Sequence, residues 1–85
     1  MGELSRLPNI GPKLEAQLNQ IGIFTLAQFQ EIGAQKAWLA ILAIDDSACY
    51  HRLCALAGAL AGMPKKELPT EMKKELKDFY QKAKG

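Results

Sequence analysis

The sequence predicts an all-α protein, and three observations support that fold class. The chain has no valine and no stretch in which β-branched and polar residues alternate, as they do in a half-buried strand. Its leucines and isoleucines recur three or four residues apart, the spacing of one helix face. Residues that begin or end helices stand between these stretches. With 85 residues, we expect a single domain over residues 1–85 with a small core.

The N-terminal part predicts a short helix, a turn and a longer helix. We expect the short helix over residues 3–7, because Pro8 disfavours helical geometry in the residue before it. Asn9 and Gly11 supply the turn. The next helix begins at Pro12, where the missing N–H costs nothing, and Gly22 ends it as a left-handed cap. Its inward residues are Leu14, Leu18 and Ile21.

Two further helices follow in the middle of the chain. Thr25 begins the first with a capping box completed by Gln28, and Gly33 ends it. The second covers residues 34–43, and the Asp-Asp-Ser stretch at residues 45–47 offers caps for the helix after it. The residues predicted to face inward are Leu26, Phe29, Ile32, Ala37, Trp38, Ile41 and Leu42.

The C-terminal part predicts a small-residue helix over residues 48–62 and a last helix over residues 70–82. Glycine within a helix costs about 1 kcal/mol, so a packing reason is expected for it. Ala55, Gly58, Ala59 and Gly62 therefore predict a surface for close helix packing or for a partner, including a second copy of the chain. The last helix has one apolar face, formed by Met72, Leu76, Phe79, Tyr80 and Ala83.

The charges are unevenly distributed along the chain, although the net charge is only +2. Residues 1–63 carry four basic and five acidic side chains, whereas residues 64–85 carry seven lysines and four acidic side chains. This excess predicts an accessory basic patch formed by Lys65, Lys66, Lys73, Lys74 and Lys77. The alternative is a solvated helix face whose lysines pair with acidic residues one turn away.

The stretch LPNIGPKLEAQL resembles a helix-hairpin-helix motif, with Asn9, Ile10 and Gly11 at its glycine–apolar–glycine positions. In that family, backbone N–H groups at the start of the second helix hold a phosphate oxygen. The resemblance implies phosphate-backbone contacts from Asn9, Ile10, Gly11 and Lys13. Glu15 opposes such binding, because it places a negative charge in the first turn of that helix. The alternative is a turn with a purely structural role.

A wider resemblance covers nearly the whole chain. The segments LPNIGPKLEAQLNQIGIFTLAQF, EIGAQKAWLAI and LCALAGALAGMPKKELPTEMKKELKDF resemble, in this order, the C-terminal domain of TfoX, the bacterial regulator of natural competence. The resemblance implies a compact helical domain with an N-terminal helix-hairpin-helix unit (SAM/HhH-like), here as a stand-alone domain, and we predict that it has five helices. It also implies a regulatory role.

Enzymatic, metal-dependent and membrane functions are not expected. His51 has no nucleophile or glycine-rich anion site near it in sequence, and Cys49, His51 and Cys54 match no zinc-ligand spacing. The apolar stretches are too short to span a bilayer, and no leader precedes them. We therefore expect a cytoplasmic protein without a cofactor.

The sequence thus predicts a non-catalytic interaction or regulatory module that acts mainly through protein contacts. The alternative is sequence-independent DNA binding through the hairpin turn. Such binding would be weak, because only Arg6 and Lys13 add positive charge there. The protein partner is unknown from sequence, and a homodimer is one form that the contact would take.

Overall fold

The structure is a computed structural model that describes residues 3–84. Met1, Gly2 and Gly85, at the ends of the predicted domain, lie outside the described residues. Within residues 3–84 the chain forms four α-helices: α1 (Pro12–Gln20), α2 (Leu26–Ile44), α3 (Tyr50–Ala61) and α4 (Thr70–Lys84). Two 3-10 turns, Glu3–Arg6 and Lys65–Glu67, precede α1 and α4. No β-strand occurs within residues 3–84, so the all-α prediction is confirmed.

Helix α3 occupies the centre of the molecule. Every residue from 53 to 59 is buried, because α2, α4 and the second 3-10 turn all pack against this helix. Helix α1 packs on α2 and on the opening 3-10 turn. Phe29 and Trp38 are fully buried, as their helical spacing predicted, and the Trp38 indole Nε1 donates to the Cys49 carbonyl at 3.2 Å.

The prediction of five helices is wrong. The two helices predicted over residues 25–33 and 34–43 form one element, α2. Gly33 does leave helical geometry, with φ 83° and ψ 162°. The helix resumes at the next residue, so the glycine introduces a kink within α2 rather than a loop between two helices.

The structure does not confirm a helix-hairpin-helix unit. The segment before the turn is a four-residue 3-10 turn, too short to act as the first α-helix of such a pair. The sharp turn itself is present, and Asn9 adopts a left-handed conformation with φ 69°. Glu15 joins the two parts, because its buried carboxylate accepts a hydrogen bond from the Ser5 N–H at 3.1 Å.

Local sequence signals set several helix ends as predicted. Gly22 is left-handed after α1, with φ 93°. Thr25 and Gln28 form the reciprocal capping box at the start of α2, where the Glu3 carboxylate also accepts from the Leu26 N–H at 2.6 Å. The predicted caps at residues 45–47 do not start α3, since Cys49 holds that position without a side-chain bond.

Candidate functional site

The turn predicted to contact phosphate has one buried side and one exposed side. Ile10 is buried in the core, and its N–H donates to the Leu7 carbonyl at 3.3 Å. Gly11 and Lys13 are exposed, and no side chain caps the start of α1. Only the Gly11 and Lys13 side of this turn is therefore available to an external ligand.

Asn9 connects the turn to the far end of α3. Its side-chain Nδ2 donates to the carbonyls of Met63 at 3.1 Å and Ala55 at 3.4 Å, and its Oδ1 accepts from the Lys65 N–H at 3.1 Å. Gly58 makes room for this amide. A Cβ at position 58 would lie 2.5 Å from Asn9 Nδ2 and 2.8 Å from the Met63 carbonyl oxygen. The Asn9 side chain thus serves the packing of the chain on itself.

The four small residues predicted as a packing or partner surface lie in two environments. Ala55, Gly58 and Ala59 are buried within the chain, and only Gly62 is exposed. Gly62 adopts a left-handed conformation with φ 74° and ends α3. The three buried positions are therefore covered by the chain itself, and Gly58 packs against Asn9, Met63 and Lys65.

The five lysines predicted as a basic patch do not all line the same cavity. Lys65, Lys66 and Lys73 line one cavity, whereas Lys74 and Lys77 are exposed elsewhere on α4. The ion pairs within residues 3–84 are those of Asp78 with Lys82 and Asp45 with Arg52. If the lysines of α4 were compensated by acidic residues one turn away, several ion pairs would be expected on this helix. Only the pair of Asp78 with Lys82 is formed within the described residues.

One cavity is an apolar groove of about 520 Å³ at the kink of α2. It lies between the residues around Gly33, the C-terminal half of α3 and the N-terminal half of α4. We call this the kink groove; its lining residues are Ile32, Gly33, Ala34, Gln35, Lys36, Ala57, Leu60, Ala61, Met72, Glu75 and Leu76. The apolar side chains form its walls, and Lys36 and Glu75 are exposed.

A second cavity of about 360 Å³ continues the kink groove along α2 toward the end of α1. The two share Ile32 and Lys36. Phe24, which follows this cavity's Ile23 in the chain, is 57% exposed. The two cavities together form one partly apolar surface groove. Sequence periodicity did not reveal it, because Ile32 was expected to face the core.

Asp45 is a polar contact point that the sequence interpretation missed. Its Oδ1 accepts from the Ser47 hydroxyl and N–H, and its Oδ2 accepts from Gln17 at 2.8 Å and Arg52 at 3.0 Å. These hydrogen bonds, those from Ser47 foremost, hold the pKa of Asp45 well below its usual range. Asp45 thus joins α1 to α3. In the sequence, the Asp-Asp-Ser stretch at residues 45–47 indicated only a helix cap.

His51 and Cys54 line one cavity, and Cys49 is not among its lining residues. Cys49 is exposed and Cys54 is buried, and both are free thiols. Within residues 3–84 no three histidine, cysteine or acidic side chains are placed to hold a metal ion. In the same part of the chain, no helix has the length and apolar character of a membrane span.

Comparison with known proteins gives a family and two similar crystal structures. The TfoX C-terminal domain family matches residues 1–80. An uncharacterised protein from Listeria monocytogenes, in a triclinic crystal form, is 40% identical with a TM-score of 0.96, over 99% of this chain and 96% of that one. A protein of unknown function from the same organism, in a tetragonal form, is 40% identical with a TM-score of 0.90, over 93% and 98%. No curated protein matches significantly. On the match to residues 1–80, the chain belongs to the TfoX C-terminal domain family.

Proposed function

We propose that this domain is a non-catalytic, cytoplasmic interaction module whose kink groove binds an amphipathic helix of a partner protein. The observation that carries the proposal is the open apolar groove at Gly33, continuous with the second cavity along α2. Family membership supports a regulatory purpose for this contact, as in the competence regulator TfoX.

The shape and chemistry of the groove favour a helix as occupant. An amphipathic helix presents an apolar side chain about every 5.4 Å along one face, which suits an elongated groove. Met72 and Leu60 in the walls are only partly buried, and methionine adapts to different side chains. The partner helix therefore contributes two or three apolar side chains, one turn apart.

The edges of the groove indicate the charges of the partner. Lys36 and Glu75 are exposed at the kink groove, and Glu31 is exposed at the second cavity. Within residues 3–84, none of these three has an ion-pair partner. A partner helix with an acidic residue toward Lys36 and basic residues toward the glutamates would complement them.

The test uses a displayed library of helical peptides and two matched variants. Ala61→Arg places a charge in the groove, whereas Ala43→Arg places it at an exposed alanine in the last turn of α2, outside the groove. We expect selected peptides to carry apolar residues at i, i+3 or i+4 and i+7, and to bind Ala61→Arg at least about tenfold more weakly. Ala43→Arg is expected to bind within about twofold of the parent.

Three outcomes would overturn the proposal. One is the absence of any binding peptide, and another is equal binding by both alanine variants. The third is a homodimer in sedimentation experiments that Ala61→Arg dissociates, because a second copy would then occupy the groove.

The second candidate function is weak, sequence-independent DNA binding at the start of α1. The observation in its favour is that Gly11 and Lys13 are exposed where no side chain caps the helix. Affinity for random duplex DNA should then fall steeply with salt, and further on Lys13→Glu or Gly11→Val. Lys36→Glu makes the same charge change at the groove and serves as the control. If Lys36→Glu and Lys13→Glu weaken DNA binding equally, the hairpin is not the contact.

A further inference from the structure

Three lysines line a third cavity, which is separate from the kink groove. It has a volume of about 330 Å³ and lies between the start of α3, the second 3-10 turn and the start of α4. Its lining residues are Tyr50, His51, Cys54, Lys65, Lys66 and Lys73. None of these lines the kink groove.

In the described part of the chain, the lysines around this cavity form no ion pair. Within residues 3–84, no carboxylate lies within ion-pair distance of Lys65, Lys66 or Lys73. The Lys73 ammonium donates to the Lys66 carbonyl at 3.2 Å, which leaves its charge uncompensated. No acidic side chain is among the residues that line the cavity. Three unit charges of one sign around a small space favour the entry of an anion.

Hydrogen bonds to the backbone hold the cavity in shape. The Tyr50 hydroxyl donates to the Lys73 carbonyl at 3.2 Å, and this bond joins α3 to α4. The Lys65 N–H donates to Asn9 Oδ1 at 3.1 Å, and this bond fixes the 3-10 turn. The lysine side chains therefore extend from a backbone that is already positioned, which lowers the entropic cost of binding.

The walls of the cavity differ in polarity from its charged rim. The Tyr50 side chain is half-buried, and Cys54 is buried. Burial raises the pKa of the Tyr50 hydroxyl, and the neighbouring Cys54 raises it further. The hydroxyl thus stays protonated at neutral pH and keeps its hydrogen bond to the Lys73 carbonyl. A ligand with an apolar or aromatic part as well as an anionic group would use both kinds of surface.

We propose that the cavity bounded by Tyr50, His51, Cys54, Lys65, Lys66 and Lys73 binds a small organic phosphate, with the phosphate among the lysines and the organic part against Tyr50 and Cys54. Lysine ammonium groups bind phosphate oxygens by charge-assisted hydrogen bonds. The volume lies at the lower end of the range for small-molecule sites. The three lysines share one small cavity that Lys74 and Lys77 do not line, which favours a small molecule over a nucleic-acid backbone.

The experiment measures binding of phenyl phosphate and of inorganic phosphate by NMR titration of the full chain. We expect saturable shifts of the amides of the cavity residues, and several-fold tighter binding of phenyl phosphate. Lys66→Gln and Lys73→Gln are each expected to weaken phenyl phosphate binding about tenfold. Lys77→Gln removes the same charge from an exposed site outside the cavity and should weaken it less than about twofold.

Two sets of results would overturn the proposal. One is the absence of saturable shifts, or an equal loss of affinity in Lys77→Gln, which would mean that only the general charge of α4 attracts anions. The other is random duplex DNA binding that Lys77→Gln and Lys73→Gln weaken alike while phenyl phosphate does not compete, since a nucleic acid would then be the ligand. If Lys73→Gln disturbs the fold, Lys66→Gln still tests the proposal, because Lys66 is exposed.

Discussion

The connection between Asn9 and the end of α3 predicts a large loss of stability when this side chain is removed. Two of its hydrogen bonds, to Met63 and from Lys65, measure 3.1 Å, within the normal range, and the third, to Ala55, is long at 3.4 Å. At about 1 kcal/mol for each normal bond, Asn9→Gly should lower the free energy of unfolding by about 2 kcal/mol. Asn9→Ala should lower it by about 3 kcal/mol, because alanine at φ 69° adds about 1 kcal/mol.

Urea unfolding, followed by fluorescence of the fully buried Trp38, measures these differences directly. In thermal unfolding, the losses correspond to about 8–16 °C for Asn9→Gly and about 12–24 °C for Asn9→Ala. Asn19→Ala is the matched control in α1 and should change stability by no more than about 0.5 kcal/mol. If Asn9→Gly were as stable as the parent, the hydrogen bonds would contribute nothing. If Asn9→Gly and Asn9→Ala were equally unstable, the conformational part of the reasoning would be refuted.

Three further predictions concern single positions. Gly58→Ala should destabilise the protein although alanine favours helices by about 1 kcal/mol, because its Cβ would meet Asn9 Nδ2 and the Met63 carbonyl; higher stability in urea would show that these neighbours move away easily. Gly33→Ala should cost about 1–3 kcal/mol, since φ 83° and ψ 162° belong to a region occupied almost only by glycine. A Gly33→Ala protein of unchanged stability would mean that the kink does not require glycine. For Asp45, whose folded pKa is depressed, the stabilisation is present above its unfolded pKa of about 4 and is lost as the pH falls below that value. The difference in unfolding free energy between the parent and Asp45→Asn, measured by urea unfolding at several pH values, should therefore narrow below about pH 4. A difference that stays constant with pH would contradict this.

The ends of several helices could be predicted because their signals are local. The Thr25–Gln28 capping box and the left-handed Gly22 act within one turn of the helix that they begin or end. The left-handed conformation of Asn9 was also predictable, since asparagine tolerates it better than other non-glycine residues. Buried Phe29 and Trp38 followed from helical periodicity alone.

The number of helices and the places of the candidate sites could not be predicted in this way. Gly33 was read as a stop, because a sequence shows that glycine leaves helical geometry but not whether the helix resumes after it. Gly58 signalled close packing, but only the fold shows that its neighbour is Asn9 of the same chain. The lysine-rich segment predicted positive charge, and the structure divides that charge between a cavity and an exposed helix face.

The sequence by itself thus determined the all-α class, the core aromatic residues and the local caps, because these depend on interactions between residues within a few positions of one another. The tertiary structure alone decided that Asn9 binds the end of α3, that the kink at Gly33 opens a groove, and that three lysines surround one cavity. Each of these features joins residues that are distant in the chain. The packing of whole helices against one another sets the direction in which their side chains point.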